Sequence, residues 1–325
     1  MQAITFSQPG GPEVLQLSTV PDPTPTPEQV LVRVRATALN RADTLQRKGA
    51  YPPPPGESEI LGLELAGEVE AVGSAVTGLK PGDRVFGLVG GGGYAEKAVI
   101  DARMAMPIPQ HWSFAEAAAV PEVFFTAQET IFTLGRLRAG ETILIHAGAS
   151  GVGTAGIQMA REIGARVLVT AGSAEKIQRC LDLGAHAGCN YKERDFAAWI
   201  QEVTNKQGVD VIEDFIGAAY WERNLQSLRT CGRLVLVGTM GGVTVETSLL
   251  LIMSKRLQIF GSVLRARPLA EKIEVTKRFQ QNWLPLLASG RVKPIVDKVF
   301  PLAQAREAHR YMEENKNFGK IVLTV

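Results

Sequence analysis

Between residues 141 and 262 the chain alternates short apolar runs with helical patterns, and that rhythm leaves few folds open. The runs occupy 142–146, 166–170, 187–190, 209–213, 233–237 and 257–262. Strands separated by helices pair in parallel and are covered on both faces, so the rhythm predicts a doubly wound sheet. After the first run, Val152, Ala155, Met159 and Ile163 recur at helical spacing and mark a helix against that sheet.

The residues before this segment have another character. Residues 30–35, 67–72 and 84–89 read as short strands, the last opened by the turn signal Pro81-Gly82-Asp83. Pro21, Pro23, Pro25 and Pro27 alternate in an extended surface stretch. These features predict an antiparallel β domain. Ser113, three residues before Glu116, forms a capping box that opens a helix. After 262 come a helix over 268–289, an apolar run over 292–300, a helix over 303–315 and a last strand over 320–325. This tail drops the strand–helix rhythm and is expected to return to the first domain. The expected domains are therefore 1–118 with 263–325, and 119–262.

A length of 325 residues suits two domains of this kind. With 45% hydrophobic and 21% charged residues, the chain belongs with soluble globular proteins. A net charge of +2 gives no electrostatic case for nucleic acid or an acidic membrane surface. No apolar run reaches the roughly 18 residues of a membrane span, and the N-terminus lacks a basic, apolar leader pattern. Cys180, Cys189 and Cys231 form no C-x-x-C pair, which fits a reducing, cytoplasmic setting.

The turn after the first strand of the alternation, residues 147–153, is Ala-Gly-Ala-Ser-Gly-Val-Gly. Small residues let the backbone approach a pyrophosphate, and the following helix start offers free amides and a partial positive charge. The spacing Ala147-x-x-Ser150-x-x-Gly153 is a degenerate fingerprint, weak alone and specific inside a run of βαβ units. It nominates Ala149, Ser150, Gly151 and Val152 as dinucleotide contacts. The second strand ends at Thr170-Ala171-Gly172-Ser173 with no acid to hold ribose hydroxyls. Lys176 follows, and Tyr191 closes the third strand. Gly172, Ser173, Lys176 and Tyr191 together favour a 2′-phosphate, hence NADPH. The competing reading makes Lys176 a solvated helix residue and Tyr191 packing.

Several stretches carry a resemblance: Asn40-Arg-Ala-Asp43, Gly62-Leu-Glu-Leu-Ala-Gly67, Pro81-Gly-Asp-Arg-Val85, residues 146–153, Gly184-Ala185 and Gly319-Lys-Ile-Val-Leu323. In colinear order they resemble the zinc-free quinone oxidoreductase branch of the medium-chain dehydrogenase/reductase superfamily. The resemblance implies an α/β chain with a GroES-like antiparallel β catalytic domain and a Rossmann domain. It implies NADPH-dependent reduction of quinones without a metal. Zinc-bearing relatives have a Cys where this chain has Asn40, and a His in a Gly-His-Glu triplet that here reads Gly62-Leu63-Glu64; neither Asn nor Leu is a normal zinc ligand. Their four-Cys lobe is replaced by Gly90–Gly93. Without a Lewis acid, alcohol oxidation is disfavoured and an electron-poor acceptor is the better fit.

The resemblance also implies site residues. Asn40, Asp43 and Tyr51 fall near the acceptor, and Asn40 and Thr126 also near the cofactor. Tyr51 is the candidate hydroxyl donor, or equally the start of a proline-rich loop; Asn40, standing where the relatives hold a metal ligand, favours a site role over a turn cap, and Asp43 serves equally well as a helix-start residue. Gly217, Gly238, Thr239, Met240, Val263, Leu264 and Arg265 fall on turns that close on ribose and nicotinamide, and Asn317 lies in the returning tail. His111, His146, His186 and His309 are scattered, and Glu213 and Asp214 read as structural. A sixth strand at the sheet edge predicts a homodimer. Two alternatives stay open: an enone or enoyl-thioester reductase, and an NADPH-binding structural or macromolecule-binding protein with little turnover.

Overall fold

The structure, a computed structural model, describes residues Met1–Val325. The chain divides into two compact units, Thr126–Val263 and Met1–Phe125 with Leu264–Val325.

The central unit holds the predicted parallel sheet. Its six strands lie in the order Ala187–Asn190, Arg166–Ala171, Thr142–Ile145, Val209–Asp214, Leu228–Leu236 and Gln258–Gly261. Every pairing is parallel. The order reverses outward from Thr142–Ile145, which places the glycine-rich turn at the switch point of the sheet, where such folds bind ligands. Leu144, Leu168, Ile212 and Leu234 are fully buried from this sheet, and Phe196, Trp199 and Leu225 pack on them. The fifth strand starts at Leu228, five residues before the apolar run begins. Its first residues, Arg229, Thr230 and Cys231, are exposed and read as loop, and Cys231 takes φ 61°. The segment Gln128–Leu134 winds as a π-helix, with Gly135 N–H bonded to Thr130 O at 2.8 Å. No apolar period distinguishes such a widened turn from an α-helix, so the sequence does not announce it.

The other unit is a seven-stranded sheet to which the tail contributes two strands. Its path runs Val296–Pro301, Lys320–Thr324, Gln29–Ala38, Glu64–Val72, Arg84–Leu88 and Met106–Pro107, with Lys97–Asp101 also on Gln29–Ala38. The expectation of a wholly antiparallel sheet needs one correction: Val296–Pro301 and Lys320–Thr324 are parallel. The helix Ala305–Glu313 joins them, and a helix-length crossover is what a parallel pair requires. Leu39, Leu61, Tyr94, Ile321 and Leu323 form the core beneath, with Phe300, Ala308 and Met312 closing it. Each such large side chain contributes roughly 1.5–3 kcal/mol on burial. The capping box at Ser113 is present: Glu116 N–H donates to Ser113 Oγ at 3.2 Å and Ser113 N–H to Glu116 Oε2 at 2.8 Å.

Candidate active site

In the central unit the nucleotide turn is built by main chain. Ala147 takes φ 50°, Ser150 Oγ accepts from Gly153 N–H at 3.0 Å, and Gly148 N–H ties the turn to Thr170 O at 2.9 Å. A side chain at position 153 would meet Ala147 O at 2.6 Å, so only glycine lets the helix start this close to the strand. The helix Gly151–Glu162 leaves its first-turn amides outside its own ladder, a donor set for an anion. Ala149, Ser150, Gly151 and Val152 all lie on this turn.

A buried polar chain fixes the neighbouring turn. Asp214 accepts from Ile216 N–H at 2.7 Å, from Gly217 N–H at 3.1 Å and from Asn224 Nδ2 at 3.1 Å. Asn224 therefore presents its carbonyl to His146 Nε2 at 2.7 Å, which makes Nε2 the protonated nitrogen. His146 Nδ1 then accepts from Thr170 Oγ1 at 2.9 Å. Burial pushes the imidazole down to about 4, so it is neutral at pH 7. Gly217, at φ 77°, lies against the turn 238–242: a Cβ there would stand 2.8 Å from Gly242 O and 3.1 Å from Thr239 Cα. Gly217 thus meets Thr239 and Gly242, Gly238 lies against Phe215, and Met240 and Val263 are exposed. Thr126 is nearly buried, and its carbonyl accepts from Thr130 Oγ1 at 2.8 Å.

The ends of the second and third strands also converge. Ser173 caps the helix Ala174–Leu183 by accepting from Lys176 N–H at 3.2 Å. A Cβ on Gly172 would be 2.8 Å from the Tyr191 hydroxyl and 3.3 Å from Lys192 Cε. Gly172 and Tyr191 thus meet at the strand ends, and Ser173 meets the Lys176 amide. Lys192 joins them, and the sequence signal for it was its place beside Tyr191 at the end of the same strand.

The other unit gathers ionisable side chains from distant parts of the chain. Glu64, fully buried, accepts at Oε1 from Lys320 Nζ (2.7 Å) and Asn40 Nδ2 (2.8 Å), and at Oε2 from Glu122 N–H (2.8 Å). Lys320 Nζ also donates to Asn40 Oδ1 at 2.7 Å and Leu39 O at 2.8 Å. Asn40 is therefore committed mainly to its neighbours. Asp43 accepts from Asn40 N–H at 2.7 Å, from Gly62 N–H at 3.1 Å and from the Tyr94 hydroxyl at 3.3 Å. Burial raises its carboxyl to about 6 against the pull of those amides. Behind Tyr94, His309 accepts at Nδ1 from Arg47 Nη1 (2.9 Å), so Nε2–H faces the Tyr94 oxygen (3.3 Å). Arg47 Nη2 continues to Glu313 at 2.6 Å. From Arg47 Nη1 through His309 and Tyr94 the donors run towards Asp43.

Tyr51 is half-buried, and burial raises its phenol above the ordinary range, so it is a neutral donor at pH 7. The Arg265 guanidinium lies over its ring, 5.5 Å from the centroid. Leu264 is buried beside Arg265 in the sequence. Glu122, which sequence reasoning did not single out, has its carboxyl pushed up to about 8 by burial first and by the charge of Glu64 second. Asn317 Nδ2 donates to Gly319 O at 2.9 Å, within its own turn.

Two family profiles match this chain: one described as alcohol dehydrogenase GroES-like domain over residues 26–110, and one described as zinc-binding dehydrogenase over 151–281. Quinone oxidoreductase of Rattus norvegicus is 35% identical, covering 99% of this chain and 97% of that protein. Quinone oxidoreductase of Pseudomonas aeruginosa is 35% identical, covering 98% of each. The crystal structure of Escherichia coli quinone oxidoreductase complexed with NADPH superposes with a TM-score of 0.92 at 32% identity, covering 100% of both chains. The chain belongs to the quinone oxidoreductase branch of the medium-chain dehydrogenase/reductase superfamily. Members of this branch are oxidoreductases, and so is this chain. The zinc named in one profile's description does not fit these residues. No three His, Cys, Asp or Glu side chains group to hold a metal, Leu63 is buried apolar, and the Glu64 carboxylate is engaged by Lys320, Asn40 and the Glu122 amide.

Proposed function

We propose that this oxidoreductase reduces quinones with NADPH and needs no zinc. The observation that carries the cofactor is the meeting of Gly172, Tyr191 and Lys192, with Ser173 and Lys176 at the following helix start and no acid ending the second strand. A 2′-phosphate gains charge-assisted bonds there, each worth about 1.5–3 kcal/mol. When bound, NADPH supplies a hydride. The chain's own residues do the rest. Amides at Ala149, Gly151 and Val152 hold the pyrophosphate on the turn that Ser150 caps, and Gly217, Gly238, Thr239, Met240, Val263 and Leu264 face the ribose and nicotinamide, with Thr126 beside them and Asn317 from the tail. Tyr51 donates a hydrogen bond to the acceptor. Asn40 and Asp43 position the wall behind it, Asn40 by bridging Glu64 to Lys320 and Asp43 by holding Gly62 and Tyr94. The side chains at positions 40 and 63 offer no metal ligand pair, so an acceptor that is already electron-poor suits the site.

The test is NADPH oxidation against an ortho-quinone, a para-quinone and an aliphatic enone, each repeated with NADH. Quinone turnover with NADPH favoured by roughly tenfold or more is expected. Faster turnover of the enone, or equal use of NADH, sinks the corresponding half of the proposal.

The second subunit of a homodimer is proposed to sit on the edge strand Gln258–Gly261. Val243, Leu249, Leu250 and Met253, between 64% and 83% exposed, line the chain leading into that strand. Exposed apolar residues beside an unpaired strand edge favour a partner. A monomer mass in light scattering at micromolar concentration counts against it.

A further inference from the structure

Arg265 is 4% exposed, yet its guanidinium is only partly used. Its Nε donates to Gly90 O at 2.7 Å, and Nη1 reaches Tyr51 O at 3.4 Å. Its Nη2 is buried with no hydrogen-bond partner. Buried polar groups in folded proteins are nearly always bonded, and a charged donor left open calls for a reason. The acids around it do not supply one: Glu122, whose carboxyl burial raises to about 8, makes no hydrogen bond to Nη2. Glu57 is held by Lys272 Nζ at 3.0 Å, Glu64 by Lys320, and Asp43 by Asn40, Gly62 and Tyr94. A residue that only clamped Gly90 to the loop at Tyr51 would need Nε and Nη1, and no third nitrogen held dry. The guanidinium stands over the Tyr51 ring, so the open N–H groups and the phenol belong to one wall.

We propose that Arg265 is a catalytic residue: its Nη2, together with the Tyr51 hydroxyl, receives the acceptor oxygen that becomes anionic during reduction. This moves the Arg265 side chain from the cofactor turn, where the sequence placed it, to the acceptor, and it rests on the quinone-reductase reading above. The acceptor gains two electrons and one hydrogen nucleus as hydride from the reduced nicotinamide, which is left oxidised, and one proton from water. Between the two additions one acceptor oxygen carries a full negative charge. A fixed cationic donor in a dry wall stabilises that charge without reorganising. The acceptors selected are flat conjugated carbonyl compounds whose reduced oxygen is a phenolate or enolate.

The experiment uses the full chain with NADP+ and para-nitrophenol, a phenol that stands in for the reduced acceptor and reports its ionisation by phenolate absorbance. Bound to the parent protein, the probe is expected to ionise about one pH unit or more below its value in water, tenfold more phenolate at a given pH. Arg265→Met abolishes that shift, and Arg265→Lys, which keeps the charge but not the fork, restores part of it. With a quinone, Arg265→Met lowers kcat by about 100-fold or more while the NADPH dissociation constant from fluorescence stays within about twofold. An unshifted probe in the parent, no probe binding at millimolar concentration, or the same ionisation in parent and variants overturns the assignment. Turnover by the parent separates the two readings. A shifted probe without quinone turnover removes the functional proposal and leaves the oxygen site standing; turnover with an unshifted probe does the reverse.

Discussion

Each unit buries a glutamate, and the two are kept in opposite ways. Glu64 is fully buried and meets an ammonium, a side-chain amide and a backbone amide. Glu213 is as deeply buried but has one partner, the Thr130 hydroxyl at 2.5 Å, and its Oε2 has none. Burial pushes the Glu213 carboxyl up to about 8, so at pH 7 it carries a proton. One acid is a charge answered by another charge. The other is a neutral polar group that bonds the π-helix to the sheet. The same residue type at the same depth does two jobs, and its partners decide which.

Breaking the first arrangement carries the larger effect. Lys320→Met removes the ammonium and leaves Glu64 with only neutral donors in a dry core. Removing one member of a buried pair costs about 3–5 kcal/mol, because the remaining charge is uncompensated. The denaturant midpoint of Lys320→Met is expected to fall by that amount, and Glu64→Gln added to it is expected to recover most of the loss. An unchanged midpoint in the single variant, or no recovery in the double, shows that Lys320 does not hold Glu64 in solution.

The two sites also differ in how far a sequence can reveal them. The nucleotide turn depends on local conformation: a capping serine at 150, a helix start, and a glycine at 153 where a Cβ would strike Ala147 O. Those needs leave marks within a dozen residues, so the turn and the strands around it are legible. The buried polar network of the other unit depends on long-range meetings. Lys320 reads as the first residue of a strand, and nothing near it announces Asn40 at a separation of 280 residues. Arg265 sits on a turn that the family resemblance gives to the cofactor, while its side chain reaches Gly90 across 175 residues. Glu122 lies in an ordinary helical pattern and gains its character from Glu64. Side-chain convergence of this kind carries no period or spacing, so it appears only once the chain is folded.

The smaller effect sharpens the second arrangement. A carboxyl whose folded value lies above its unfolded one binds a proton in the native state that the unfolded chain has already lost. Its contribution is complete below the unfolded value of 4.5 and is lost as pH rises through about 8. Between pH 6 and 7 the native state keeps one more proton at Glu213, so stability falls by about 1.4 kcal/mol per pH unit from this group. Glu213→Gln keeps a hydrogen bond with Thr130 Oγ1 and removes the titration. Glu122, raised for the same reason, and the depressed His146 and His309 contribute equally to parent and variant, so the difference between their pH profiles isolates Glu213. Denaturant midpoints measured from pH 6 to 8 are expected to fall less steeply for Glu213→Gln than for the parent, with the curves diverging as pH rises. Parallel curves would mean that the acid is already ionised, and that this unit, like the other, supplies a counter-charge to its buried glutamate.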